Sequence, residues 1–223
     1  MTTLVQLRVP CTLCGAENRL TGIGSTNSFG SPDLDTRPPE MRRSTMFSWV
    51  QRCAGCGYCA PDLKEARPGA REVVESPEYR AQLADASHPE LANLFLCHAM
   101  VSRGTQDPVG EGWALIHAAW VCDDAGLGAG AARCRERAAE AIGSAKVAGL
   151  ALIPQAGGDA ALLADLLRRA GRFDEVRRVV AAHRPGRASD MIEKILAFEA
   201  DLAERGDAER YTMDGALGPP RLL

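Results

Sequence analysis

Long apolar runs, aromatic side chains and surplus positive charge are all scarce in this chain of 223 residues. Nothing approaches the run of about 18 apolar residues that a membrane-spanning helix needs. The most apolar short stretch, Val147–Pro154, is far shorter, so no membrane partner is expected. Met1–Pro10 has neither the basic start nor the long apolar core of an export signal, and the expected compartment is the cytoplasm. Aromatics are 5% of residues and the formal net charge is -3, which argues against a broadly cationic nucleic-acid binder with stacking platforms. The sequence also has no phosphate-cradling glycine loop, no nucleophile elbow and no His-Glu-x-x-His pattern. Without a catalytic set, the expectation is a non-enzymatic protein. The 46% hydrophobic and 25% charged fractions are those of a globular chain and exclude wholesale disorder.

Against these absences stand eight cysteines: Cys11, Cys14, Cys53, Cys56, Cys59, Cys97, Cys122 and Cys134. In a reducing compartment, clustered cysteines bind metal or do redox work more often than they form disulfides. Five of them fall within residues 1–59, which points to two regions of different physics.

Residues 1–70 are rich in Gly, Pro, Ser and Thr. Val5, Leu7 and Val9 alternate with other neighbours, the period of a half-buried strand. Arg19–Thr26 reads as a weaker strand carrying Gly22 and Gly24, and Met46–Val50 as a third. A segment this small needs a staple, because apolar burial alone is insufficient. The sequences Cys11-Thr-Leu-Cys14-Gly15 and Cys53-Ala-Gly-Cys56-Gly57 supply one. Each is a Cys-x-x-Cys turn followed by a glycine suited to a left-handed backbone, and each follows a candidate strand. Four thiolates from two such knuckles close a tetrahedral structural site. Cys11, Cys14, Cys53 and Cys56 are therefore the expected metal ligands, and Zn2+ the expected ion on ligand softness; a rubredoxin-type iron centre uses the same plan and is the alternative. Cys59 reads as a spare thiol; Cys97, Cys122 and Cys134 fall in helical segments, Cys122 at an apolar position; His98 and His117 read as satisfied histidines rather than ligands. The segment 31–40, with Asp33, Asp35, Arg37 and Glu40, reads as a solvated loop tied by an Arg–Asp pair.

Residues 76–206 are Ala-, Leu- and Arg-rich with helical periodicity. Ser76-Pro77 is a helix start. Helices are expected near 88–103, along the Val109, Trp113, Ile116, Trp120 stripe, and near 129–147, 158–170, 173–183 and 188–205, with Asp159 capping the 158–170 helix and Gly171 ending it. Pro185 and Gly186 break the chain before the last of them, and residues 207–223 read as a poorly ordered tail. Ala118–Gly126 can be laid over Leu163–Gly171, a faint repeat of the kind stacked helical hairpins show. Arg133, Arg135, Arg137, Arg168 and Arg169 read as solvated faces, with an acidic partner as the sharper alternative.

The cysteine pairs, Trp49 before the second pair, Tyr58 after it, and Ala119-Trp120-Val121-Cys122 with Gly126 resemble an uncharacterised bacterial family that joins a zinc-ribbon-like segment to a tetratricopeptide-like helical region. Thr12 and Ala54 depart from its usual Cys-Pro-x-Cys, and Cys59 is an extra. The resemblance implies a metal site and a helical scaffold, and no reaction. The fold expected is α+β: a small β zinc ribbon with rubredoxin-like knuckles (1–70), then an all-α tetratricopeptide-like hairpin domain (76–206). The function expected is a scaffold or interaction module with another protein as partner. Nucleic-acid binding through Arg37, Arg42, Arg43 and Arg52 is a weaker alternative, since Glu17, Asp33, Asp35, Glu40 and Asp62 oppose that charge.

Overall fold

Val5, Leu7 and Val9 lie in strand β1 (Thr3–Pro10), which pairs antiparallel with β2 (Glu17–Ser25). The computed structural model describes residues 1–184, 186 and 188–218. In this hairpin Leu7 lies opposite Leu20 and Val5 opposite Gly22, and a Cβ on Gly22 would stand 2.7 Å from Leu7 Cδ1. The glycine in β2 therefore makes room for the side chains of β1. A second, two-residue ladder pairs β3 (Gln51–Arg52) with β4 (Cys59–Ala60).

The strand expected over Met46–Val50 is instead a 3-10 helix, Arg43–Ser48, with β3 starting only at Gln51. Local side-chain bonds decide it. Thr45 Oγ1 donates to Arg42 O at 2.8 Å, Ser48 Oγ to Thr45 O at 2.8 Å, and Trp49 Nε1 to Thr45 Oγ1 at 2.9 Å. Hydroxyls that bond back to carbonyls three residues earlier favour a turn over an extended ladder.

Helices follow: α1 (Ala70–Glu75), α2 (Pro77–Leu83), α3 (Glu90–Gly104), α4 (Pro108–Asp124), α5 (Gly128–Val147), α6 (Gly158–Arg169), α7 (Phe173–Ala182), α8 (Asp190–Glu204) and α9 (Met213–Leu217). The fold is α+β, with a small N-terminal two-stranded sheet and a mostly helical remainder. Among the described residues, no helix is long and apolar enough to cross a membrane. Ser76 caps α2 as expected, accepting from Tyr79 N. Asp159 does not cap α6; its carboxylate instead accepts from Leu152 N at 3.2 Å and Ile153 N at 2.7 Å, pinning the α5–α6 connection.

The two segments of the faint repeat end alike. After α4, Leu127 N donates to Cys122 O and Gly126 N to Asp123 O; after α6, Arg172 N donates to Leu167 O and Gly171 N to Arg168 O. Gly126 and Gly171 sit at φ +71 and +76. These are matching Schellman turns, each joining two packed helices.

The loop 31–40 is not solvated. Asp33, Leu34, Asp35 and Arg37 are all at most 3% exposed. Asp35 accepts from Trp120 Nε1 at 2.6 Å and from Arg169 Nη1 at 2.7 Å; Arg169 Nη2 reaches Asp123 at 2.6 Å, and Arg37 pairs with Asp124. Arg135 also pairs with Asp123. Nor is the tail before Gly218 loose. Leu34 N donates to Tyr211 O and Met213 N to Pro32 O, so residues 211–213 run back along the loop. The Pro219-Pro220 part of that tail, and Pro185, lie outside the described residues.

Two apolar clusters form the interior. The larger runs from Val9, Val50, Tyr58 and Leu63 to Phe95, Leu115 and Trp120; the smaller joins Leu34 to Val176, Ile192 and Leu196. Beneath the smaller cluster, Arg168 bonds Glu199 at 2.6 Å, Asp165 at 2.7 Å, and the carbonyls of Asp207 and Glu209.

Two measurements test these buried charges. Arg169→Ala leaves the buried Asp35 carboxylate without its ion-pair partner, while Asp123 keeps Arg135, and should cost about 3–5 kcal/mol in urea unfolding. Burial, then the neighbouring Asp165, lifts the Glu199 carboxyl from 4.5 to about 8. A carboxyl raised on folding stabilises the fold fully below its unfolded value, and that contribution is lost as pH rises through the folded value. Glu199→Gln should therefore flatten the fall in urea midpoint between about pH 5 and 8 relative to wild type.

Candidate metal centre

Each Cys-x-x-Cys pair forms a turn with the same hydrogen bonds. In the first knuckle Cys11 N donates to Ala16 O at 2.9 Å and Gly15 N to Cys11 O at 2.8 Å. In the second Cys53 N donates to Tyr58 O at 2.8 Å and Gly57 N to Cys53 O at 2.9 Å. Gly15 and Gly57 take φ +76 and +80, a conformation that costs a glycine little and an L side chain strain. β1 runs directly into the first knuckle and β3 into the second.

The knuckles bring together the four sulfurs named from the sequence. Cys11 Sγ lies 3.7 Å from Cys56 Sγ, Cys14 Sγ lies 3.5 Å from Cys53 Sγ, and all four sit within 4.8 Å of one another. A tetrahedral ion with metal–sulfur bonds of about 2.3 Å sets its sulfurs about 3.8 Å apart. The four thiols could thus hold a metal ion. Cys11 and Cys53 are buried, Cys56 is half-buried and Cys14 is exposed.

The electrostatics are uneven. Burial raises the Cys53 thiol, but the N–H groups of Cys56 and Gly55 and the Cys14 and Cys11 thiols outweigh it and bring Cys53 down to about 6. Burial raises Cys11 and Cys56 despite backbone N–H bonds to each. Peptide N–H groups aimed at sulfur stabilise a thiolate.

Several supporting residues were not read from the sequence. Asn18, 3% exposed on β2, donates to Val9 O, to Ala16 O at 3.0 Å and to Cys53 Sγ at 3.7 Å, and accepts from Ala54 N at 2.8 Å. One amide thus joins the first hairpin to the second knuckle. A polar residue facing inward beside Val9 on a paired strand was the available signal. Gly55 is where a Cβ would stand 2.8 Å from Ala16 Cβ and 3.3 Å from Cys14 Sγ. Arg71 of α1 donates to Leu13 O, and Arg80 of α2 to Cys56 O at 2.9 Å, so each knuckle has its own guanidinium. Tyr79 Oη donates to Gly57 O at 2.9 Å and accepts from Cys59 N at 3.0 Å. No periodicity in the sequence links these helical side chains to the cysteines.

The remaining cysteines and histidines stand apart from the four sulfurs. Cys59 is fully buried against Cys97, its thiol 3.4 Å from Gly57 O. Cys122 and Cys134 meet across the α4–α5 hairpin, both buried. His117 packs among aromatic rings, 4.9 Å from Trp120, 5.1 Å from Phe95 and 5.2 Å from Trp49, and burial, then His98, drives it down to about 3. His98 is lowered by burial and bonds the Cys59 backbone.

If Asn18 is the tie between the knuckles, Asn18→Ala leaves Ala54 N–H without its acceptor and should cost about 1–3 kcal/mol in urea unfolding. Gly55→Ala should produce a similar loss through crowding of Ala16, and an unchanged midpoint in both would refute the tie.

No protein-family model, no curated protein and no solved structure matches this chain. The resemblance drawn from the sequence therefore stands on the cysteine cluster and the mostly helical body alone.

Proposed function

We propose that Cys11, Cys14, Cys53 and Cys56 hold one structural Zn2+ as thiolates, and that the chain is a non-enzymatic scaffold whose helical hairpins engage another protein. The single observation that carries the metal reading is the sulfur arrangement: four Sγ atoms within 4.8 Å, with pairs at 3.5 and 3.7 Å. Two matching knuckles, each entered by a strand, support a zinc ribbon as the local fold. Four protein thiolates fill a tetrahedral shell and leave no open position for substrate or water, the mark of a structural rather than a catalytic ion. Soft thiolate ligands suit zinc; iron in the same shell would make a redox centre.

The matching turns at Gly126 and Gly171 support hairpins of tetratricopeptide type, which stack to form protein-binding surfaces. Two of the arginines considered for nucleic acid, Arg37 and Arg43, are engaged by Asp124 and Asp33, which weakens that alternative.

Protein purified without chelator should carry about one zinc per chain and be colourless. Coloured, iron-loaded protein would replace zinc with the redox reading. Cys14→Ser should lower metal content sharply; equal content in wild type and variant would refute the four-thiolate site. Because metal binding and folding are linked, chelation should also speed amide exchange in β1–β2 and around Cys53–Tyr58, while α6–α8, packed on the smaller apolar cluster, keep their protection.

A further inference from the structure

Where the α5–α6 connection passes beside α7, the helical body has a cavity of about 620 Å3. That is within the range of sites that bind ligands. Ile142 of α5, Leu150 and Ile153 of the connection, Leu163 of α6 and Val179 of α7 supply its apolar lining. The connection packs closely here. A Cβ on Gly158 would stand 2.3 Å from Ile153 Cγ2, and one on Gly157 2.9 Å from Ile192 Cγ2 and 3.2 Å from His183 Cε1. The absence of a side chain at Gly157 and Gly158 leaves the room that Ile153 and His183 occupy in the wall.

The charged residues lining the cavity are mostly of one sign. Lys146, His183 and Arg184 line it, against the single carboxylate of Asp159. Asp159 is already occupied by the N–H groups of Leu152 and Ile153, and His183 lies 3.1 Å from Glu193. Lys146 and Arg184 are exposed and, among the described residues, belong to no ion pair, unlike Arg135, Arg168, Arg169 and Arg172. The arginines that the sequence offered for an acidic partner thus split. Arg135, Arg168 and Arg169 are consumed internally and Arg133 stays exposed on α5, while Lys146 and Arg184 put positive charge at this cavity. Apolar lining also reaches the surface, where Leu150 is 50% exposed. A polypeptide laid across the opening would cover the half-exposed Leu150 while its carboxylates reach the exposed Lys146 and Arg184.

We propose that this recess docks an acidic amphipathic segment of a partner protein, its apolar side chains on Leu150, Ile153 and Leu163 and its carboxylates toward Lys146 and Arg184. The proposal rests on the scaffold reading and gives it a site and a partner chemistry. Apolar anchors in a groove with complementary charge at the rim are a recurring mode of peptide recognition.

The test uses the full metal-loaded chain and a fluorescein-labelled peptide of leucines at helical spacing with glutamates between them, read by anisotropy. The expected result is binding that weakens at least about tenfold when lysines replace the glutamates, and again in a Lys146→Glu/Arg184→Glu variant. Leu150→Asp should weaken it comparably, and Arg133→Glu, on the exposed side of α5, should not. Equal affinity for both peptides would overturn the proposal, as would indifference to Lys146→Glu/Arg184→Glu. So would saturation by a medium-chain fatty acid with no peptide binding. Recovery of one partner equally by wild type and Lys146→Glu/Arg184→Glu from the native cell would overturn this site while the scaffold reading survives.

Discussion

Four sulfur atoms crowd within 4.8 Å at the junction of two turns, and the N-terminal third of the chain is arranged around that crowding. As thiolates they would repel one another strongly at such separations. Backbone N–H groups at each knuckle and the Asn18 amide offset part of that repulsion; on the reading proposed here a cation supplies the rest. The surrounding geometry follows from the need to hold two turns in fixed register. β1 and β3 deliver the knuckles, Asn18 bridges them, and Arg71 and Arg80 each hold one from the helical side. Tyr79 then ties Gly57 to Cys59, so the exit from the second knuckle is anchored to α2.

The long excursion between the knuckles has a structural role of its own. Asp35 penetrates to Trp120 and Arg169, and Arg37 to Asp124, so residues 31–40 wedge between α4 and α6. Buried ion pairs return little net stability unless their hydrogen bonds are nearly complete. Here Arg37 Nε and Arg135 Nε remain without partners, while the carboxylates of Asp35 and Asp123 are each shared by two donors or more. The network therefore fixes where the excursion sits more than how stable the fold is. The same economy recurs under the C-terminal helices, where Arg168 gathers Asp165, Glu199 and two carbonyls, and brings residues 207–209 against α6.

This placement redistributes charge on the surface. Arginines that look in sequence like one solvated stripe divide between internal pairs and solvent, and the division depends on which helix face meets the excursion. Arg168 and Arg169 are adjacent yet serve two different networks, one toward Glu199 and one toward Asp35. Arg133, a little over half a turn from Arg135 on α5, stays exposed while Arg135 is buried. Lys146 and Arg184 form no ion pair among the described residues, and the Asp159 carboxylate that lines the same cavity faces backbone N–H groups.

Short-range chemistry was written plainly in the chain. Cys-x-x-Cys-Gly, repeated, specifies two identical turns because its hydrogen bonds close within six residues, and the apolar periodicity specifies α3 to α8 because a helix is itself a local structure. Met46–Val50 misled for the same reason: its apolar composition suits a strand, but hydroxyls three residues apart close a 3-10 turn first. What no local pattern contained were the partners: Asn18 for Ala54, Tyr79 for Gly57, and Asp35 for Arg169, 134 positions away. A buried carboxylate and a solvated one have the same letter, and only the fold, by excluding water around one of them, decides which it is.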